Sequence, residues 1–370
     1  MKRINRRLAA LSRRLDSLWW LIARLLRLPR AGTAAPRSIL LVDLHLIGDI
    51  VMLVPLLRVI RRCHPQARIG LLAGPWAEQL LRDTALVDDY IALTAYWVRP
   101  GPRIAGLAAV GRALRQCRRS YWDWGIDVRG DVRNILLLAC ARAARRIAYD
   151  FTGGSALLTD VVPDDGALRH IIEHHIALAR YLGLEMQPEE RIPWLPPPAD
   201  GSPHSAGRTF GFHFGASQVL RRMPAAAAAE LVETVAAAAP VNIVLVDSPD
   251  TEALNTALLA QLSADCASRV QRWNGSLREL MALLVRLERF YAMDSGPAHI
   301  AAALGVDTTV FFGPNLADAV RPWGARVTVL EDAALPCRPC DHLHCTNPRV
   351  QACLIEAVGL VRLPPGSTPP

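Results

Sequence analysis

The string Ser38-Ile-Leu-Leu-Val-Asp43 is apolar at consecutive rather than alternate positions, and it leads into residues 50–62, where apolar side chains recur at helical spacing. A strand without a polar face has to be covered on both sides, which is the situation of a parallel sheet flanked by helices. The pattern repeats. Strands are expected at 68–72, 90–93, 124–128 and 146–149, separated by helical stretches such as 104–117. Residues 186–207 carry Pro188, Pro193, Pro196, Pro197, Pro198 and Pro203, too many for either element to continue. A second series then follows, with strands at 209–214, 242–247, 289–293 and 308–312 and helices at 225–238, 251–262 and 276–287. The expectation is an α/β protein of two doubly wound, Rossmann-like domains, 37–200 and 201–365, facing each other across a cleft that is the natural ligand site. A chain of 370 residues with 51% apolar content suits two cores better than one.

Residues 1–36 form an extension of different character. Ile4, Leu8, Leu11, Leu15, Leu18, Ile22 and Leu25 step by threes and fours, Trp19 and Trp20 flank them, and Lys and Arg recur through residues 1–30 against one acid, Asp16. This basic amphipathic helix reads as interfacial, its apolar stripe in the headgroup boundary and its cations on anionic lipid; packing on its own protein is the alternative. The net charge of +8, from 42 Lys+Arg and 34 Asp+Glu, favours an anionic partner without choosing one. No stretch reaches the roughly 18 consecutive apolar residues of a spanning helix, and the arginines make a poor signal peptide. The expected location is therefore the cytoplasm, peripheral on the inner face of the cytoplasmic membrane, where the eight cysteines stay reduced.

Two strand-to-helix turns carry the residues of interest. In His45-Leu-Ile-Gly48-Asp49, Gly48 permits close backbone approach, and Asp49 either caps the helix or serves as a base for an incoming hydroxyl. The dinucleotide fingerprint G-x-G-x-x-G is absent. In Asp294-Ser295-Gly296-Pro297-Ala298-His299, Pro297 suits the first turn of a helix and Asp294 or Ser295 its cap. The free N–H groups and positive dipole end there can seat a diphosphate, or the helix is simply well capped and His299 packed.

These strings resemble one family closely. Ile39 to Arg58 is similar to the opening motif of the ADP-heptose:lipopolysaccharide heptosyltransferases, glycosyltransferase family 9. Asp294 to His299, with Ala301-Ala-Ala-Leu-Gly305 and Phe311-Phe-Gly-Pro314, resembles the family's second signature. Trp124-Gly-Ile-Asp-Val-Arg-Gly-Asp-Val-Arg133 and Gly215-Ala-Ser217 fall between them in the family's order. The resemblance implies the GT-B fold, no catalytic metal, and inverting transfer of heptose from ADP-L-glycero-D-manno-heptose to a sugar hydroxyl of a lipid-linked core oligosaccharide. It makes Asp49 the base, and it places Gly48, Ser217, Asp294, Ser295, Gly296 and His299 at the substrates. Arg221 stands in Arg221-Arg222-Met223-Pro224 where the family often has Lys-Arg-Trp-Pro against the diphosphate, and Glu252 falls near an acid that contacts the donor ribose. Relatives with another nucleotide-sugar donor or acceptor, or with binding but no turnover, share these strings.

Cys337, Cys340, Cys345 and Cys353 gather beside His342 and His344, a spacing that suits tetrahedral zinc or iron, with free thiols or disulfides as alternatives. Four thiolates leave no open position, so the metal is expected to be structural. A four-cysteine cluster in a basic protein also raises nucleic-acid binding, but 337–353 holds only Arg338 and Arg349 and no aromatic residue on which a base could stack. No nucleic-acid partner is expected.

Overall fold

The computed structural model describes residues 16–25, 35–99, 102–164, 166–167, 170–198, 208–248, 250–340 and 344–361. The chain divides into two compact units, Met1–Ile192 and Pro193–Pro370, and the division falls inside the proline-rich stretch. The first unit holds β1 (Ser38–Asp43), β2 (Arg68–Ala73), β3 (Asp89–Ala92), β4 (Trp124–Asp127), β5 (Arg145–Ala148) and β6 (Asp160–Val161). The second holds β7 (Thr209–His213), β8 (Asn242–Val246), β9 (Val270–Trp273), β10 (Arg289–Met293), β11 (Asp307–Phe312) and β12 (Val327–Glu331).

The sheets run β3-β2-β1-β4-β5-β6 and β12-β11-β10-β7-β8-β9, and the strand pairs are parallel in both. The topology is the same twice. Each sheet grows outward from its first strand, then crosses back to add its fourth strand on that strand's other side. The carboxyl ends of β1 and β4, and of β7 and β10, therefore diverge and leave a crevice, the topological switch point at which doubly wound sheets bind ligands.

Burial follows from composition. Ile39, Leu40, Leu41 and Val42 of β1 are fully buried, as a central strand covered on both faces requires. One layer of the first unit is built from Leu40, Val42, Leu72 and Ile91 under the helices Arg103–Cys117 and Val132–Cys140, with Trp122 wedged among them. In the second unit Phe212 and Tyr291 stack at 4.9 Å. The helix Ala225–Ala238 lies over them, its alanines allowing close approach to the sheet. The strands not foreseen in the sequence, β6, β9 and β12, are all edge strands; β9 is Val-Gln-Arg-Trp and β12 Val-Thr-Val-Leu-Glu, half-exposed and without a continuous apolar run.

The described part of the extension packs on its own protein, the alternative raised for it from the sequence. The helix Asp16–Leu25 packs on the first unit, with Trp19, Ile22 and Ala23 against Ile135, Leu136, Ala139, Ala148, Leu157 and Leu158. The foreseen stripe is split: Ile22 turns into the protein, whereas Leu18 and Leu25 (71% exposed) face outward, together with Trp20 (68%) and Leu21 beside the stripe. The apolar pocket beneath it draws in Trp19, a larger side chain than any on the stripe. Ile4, Leu8, Leu11 and Leu15 lie outside the described residues. Among the described residues, no helix is long and apolar enough to cross a membrane.

Trp122 sets a steric condition on β2. A Cβ at Gly70 would stand 2.5 Å from the Trp122 ring, and that ring is fixed by its Nε1–H donating to the Cys117 carbonyl at 2.8 Å. Gly70→Ala should destabilise the protein by about 1–3 kcal/mol, the usual cost of overpacking a core, read as a lower denaturant midpoint in urea unfolding; an unchanged midpoint would show that the ring can move.

Candidate functional site

At the switch point of the first sheet the helix Ile47–Cys63 begins earlier than the sequence suggests, so Asp49 is its third residue rather than its cap. Its side chain reaches back, Oδ2 accepting from the Leu46 N–H at 3.0 Å, while Oδ1 accepts from Arg129 Nη1 at 3.0 Å. Asp49 and Arg129 are both buried. Arg129 follows β4 directly and stands among four carboxylates: burial works against its charge, but Asp49, Asp43, Asp127 and Asp131 overcome this and raise its pKa above the ordinary arginine value. The loop bearing Arg129 is held by Asp127, whose carboxylate accepts from the backbone N–H groups of Arg129 (3.3 Å) and Asp131 (3.0 Å) and from Asn134 Nδ2 (2.9 Å). Burial pushes Asp127 up to about 7, and the Asp131 charge adds to it. Beneath the site, His175 Nδ1 lies 2.9 Å from the Met52 carbonyl, and burial lowers its pKa to about 3, so the ring is neutral.

The second sheet has a buried pair in the mirrored arrangement, with the arginine after the first strand and the aspartate after the fourth. Arg221 Nη1 donates to Asp294 Oδ2 at 3.0 Å and Nη2 to Ser217 Oγ at 2.8 Å; Asn315 Nδ2 donates to the same Asp294 oxygen. The loops after β7, β10 and β11 are thereby tied together. Ser295 occupies the cap position of the helix Gly296–Ala303, yet its side chain makes no capping bond; Ser295 Oγ lies 3.3 Å from His213 Nδ1. Burial lowers His213 to about 4, so it is neutral at physiological pH. Gly215 touches the loop after β8, where an added Cβ would be 2.3 Å from Thr251 Cγ2, and this brings Glu252, exposed at the start of the helix Glu252–Leu259, alongside the Gly215 to Ser217 turn. His299 is buried in the helix that Ser295 opens.

The structure thus brings Ser217, Arg221, Glu252, Asp294, Ser295, Gly296 and His299 to one rim of the second unit, and Gly48 and Asp49 to the corresponding rim of the first. Sequence reasoning passed over Arg129, although it stood inside a quoted motif, and had no signal for His213, Asn315 or Asn134, whose partners are distant in the chain.

The cysteine segment braces this rim. Gln351 Nε2 donates to the carbonyls of Leu220 (3.3 Å) and Arg222 (2.6 Å) on either side of Arg221, the Cys340 N–H to the Pro314 carbonyl (2.9 Å), and Arg338 Nη2 to the Asn315 carbonyl (3.0 Å). All eight cysteines are free thiols. Burial raises the Cys353 thiol, with Cys337 and Cys345 adding to the effect. Their chemistry fits a soft metal ion, but among the described residues no three His, Cys, Asp or Glu side chains form a closed ligand set. His342 lies outside the described residues.

Residues 108–351 match the model of a family described as glycosyltransferase family 9 (heptosyltransferase). The chain is 24% identical over 317 residues to lipopolysaccharide heptosyltransferase 2 of Salmonella typhimurium, covering 79% of this chain and 87% of the relative. It superposes on the structure of Escherichia coli ADP-heptose lipopolysaccharide heptosyltransferase II with a TM-score of 0.66 and 22% identity, covering 80% of this chain and 91% of the other. A dodecameric iron-containing glycosyltransferase from enterotoxigenic Escherichia coli matches with a TM-score of 0.51 and 12% identity, over 90% of this chain and 74% of the other.

His213 gives the site an acid dependence. Its folded pKa lies below the unfolded value of about 6.5, so the unfolded chain takes up a proton first as pH falls, and stability is lost between about 6.5 and 4. Asp127, with its raised pKa, gains stability over much the same window, and a variant is needed to separate the two. His213→Leu should gain on the wild type by about 3 kcal/mol in unfolding free energy between pH 6.5 and pH 4, measured by urea denaturation at both; a constant difference would show that His213 titrates normally.

Proposed function

Because the chain belongs to glycosyltransferase family 9, the heptosyltransferases, we propose that it transfers heptose from ADP-L-glycero-D-manno-heptose, with inversion, to a sugar hydroxyl of the lipopolysaccharide inner core. The single observation that carries this reading is the doubled switch-point site, with a buried carboxylate in the first unit and an uncapped helix start in the second.

The donor belongs to the second unit. Its diphosphate meets the N–H groups at the start of Gly296–Ala303, a positive dipole end that no side chain caps. Arg221 is committed to Asp294 and Ser217, so it presents a fixed cation beside the diphosphate rather than a free one. Glu252 faces the ribose from the next loop, and Ser217, Gly296 and His299 line the pocket.

Asp49 acts on the acceptor. Its Oδ2 accepts from the Leu46 N–H and its Oδ1 from Arg129, which fixes the carboxylate at the carboxyl edge of the first sheet. In the transfer the acceptor O–H proton passes to Asp49 and the oxygen bonds to the anomeric carbon. The bond from that carbon to the diphosphate breaks, and ADP leaves with its electron pair. Gly48 leaves room for the acceptor at the turn. The protein works at the cytoplasmic face of the inner membrane, where the outward Trp20, Leu21 and Leu25 and the basic extension meet anionic lipid.

Cys337, Cys340, Cys345 and Cys353 hold a structural zinc or iron. This is supported by their thiol chemistry and by the iron in one similar glycosyltransferase. Elemental analysis should find about one metal per chain, lost when Cys337 and Cys340 are both changed to Ser, with a fall in melting temperature. A metal-free wild type of full stability would defeat it.

Asp49→Asn preserves the bond from Leu46 but places an amide against Arg129, so it should cost some stability as well as activity. At a temperature where both proteins stay folded, kcat should drop by about 10²–10⁴ while protection against thermal unfolding by ADP-heptose, a property of the second unit, persists. Retained turnover in the variant would reduce Asp49 to a helix-capping residue.

A further inference from the structure

The segment between β3 and β4 is chemically one-sided. From Tyr90 to Trp122 it contains six arginines, Arg99, Arg103, Arg112, Arg115, Arg118 and Arg119, and no acid. Its helix Arg103–Cys117 buries Ala113 and Cys117 and packs Ala109, Val110 and Leu114 against the core. The opposite side begins with Ile104, 85% exposed, and Leu107, 60% exposed, followed along the axis by Arg112 and Arg115, also exposed. Among the described residues Arg103, Arg112, Arg115 and Arg119 have no ion-pair partner. Two large aliphatic side chains left in water beside unpaired cations is an arrangement that a solvated helix would not be expected to keep.

The topology says what this face shares with the rest of the unit. Val42, Asp127 and Ala148 are paired across β1, β4 and β5, so they project from the same face of the sheet. Val42 lies under Arg103–Cys117, and Ala148 lies under the helix Asp16–Leu25. The two helices therefore occupy one layer, on either side of Val132–Cys140. Each turns apolar side chains outward: Ile104 and Leu107 from one, Trp20, Leu21 and Leu25 from the other. The start of Arg103–Cys117 follows the loop after β3, where Trp97 is stacked under Arg133 at 5.4 Å, and Arg133 pairs with Asp131 beside the switch point. The apolar turn thus stands on the same rim as Asp49.

We propose that the outer face of Arg103–Cys117 is a second membrane-contacting surface. In this arrangement Ile104 and Leu107 enter the headgroup boundary of an anionic bilayer, and Arg112, Arg115 and Arg119 lie on its phosphates. The helix lies in the plane of the bilayer, in the same layer as Asp16–Leu25, so one membrane surface engages both elements and presents a lipid-linked acceptor to the Asp49 rim. Two weak signals of this kind together give stable peripheral binding where one alone gives marginal binding. The occupant is fixed by charge, since a stretch with six arginines and no acid complements an anionic lipid surface.

The test uses the full chain and cosedimentation with vesicles of phosphatidylglycerol and phosphatidylethanolamine, with phosphatidylcholine vesicles for comparison. Ile104→Glu with Leu107→Glu should weaken binding to the anionic vesicles at least tenfold, and Arg112→Glu with Arg115→Glu should weaken it and flatten its dependence on salt. Trp20→Glu with Leu25→Glu, on the other helix, should weaken it independently. Donor protection by ADP-heptose, followed in parallel, should be unchanged in all three, which separates loss of membrane binding from failure of the donor reading. Full vesicle affinity in Ile104→Glu with Leu107→Glu would overturn the proposal. So would sedimentation velocity showing that the wild type self-associates through this face, with the variant monomeric and its vesicle binding intact.

Discussion

Each half of this protein is organised around one buried aspartate–arginine pair at the place where its sheet reverses direction. Removing two charges from water is costly, and the cost is recovered only when geometry and further hydrogen bonds are good. Asp49 with Arg129, and Asp294 with Arg221, meet that condition because each carboxylate has a second donor, the Leu46 N–H in one case and Asn315 in the other. Deleting one member of such a pair typically costs about 3–5 kcal/mol, because the other charge is left stranded. The loops that carry the site are thus fixed by electrostatics at the one point where the sheet cannot fix them.

The histidines illustrate the complementary tactic. His213 and His175 are buried beside these charges, and burial keeps them neutral by lowering them to about 4 and about 3. A neutral ring can approach Ser295 or the Met52 carbonyl without adding a cation to a site that already holds a buried arginine. Asp127 is the same idea applied to an acid: pushed up to about 7, it takes three hydrogen bonds and shapes the Arg129 loop while contributing less than a full charge near neutrality.

The cysteine segment enters this scheme from outside the sheet. Gln351 grips the turn that holds Arg221, and Arg338 and Cys340 grip the turn that holds Asn315, so both partners of Asp294 are braced from residues 338–351. The cysteine segment therefore bears on the Asp294 rim through backbone carbonyls.

Much of this was legible in the chain itself. The continuous apolar run of β1, the strand-to-helix turns with Asp49 and Asp294, and the proline-rich break follow from local composition, which is why the α/β class and the loops of interest can be read directly. The edge strands β9 and β12 were not legible, because an edge needs no continuous apolar run. Nor was the fate of the helix Asp16–Leu25: spacing gives it a stripe, but only the pocket formed by Ile135, Ala148 and Leu157 determines that Trp19 and Ile22 turn inward and Trp20 and Leu25 outward. Sequence determined the period of each element and the chemistry of each loop, since both are properties of neighbouring residues. The pairing of Asp49 with Arg129 and of Asp294 with Arg221, across 80 and 73 residues, was decided by the crossover that sets the first and fourth strands side by side.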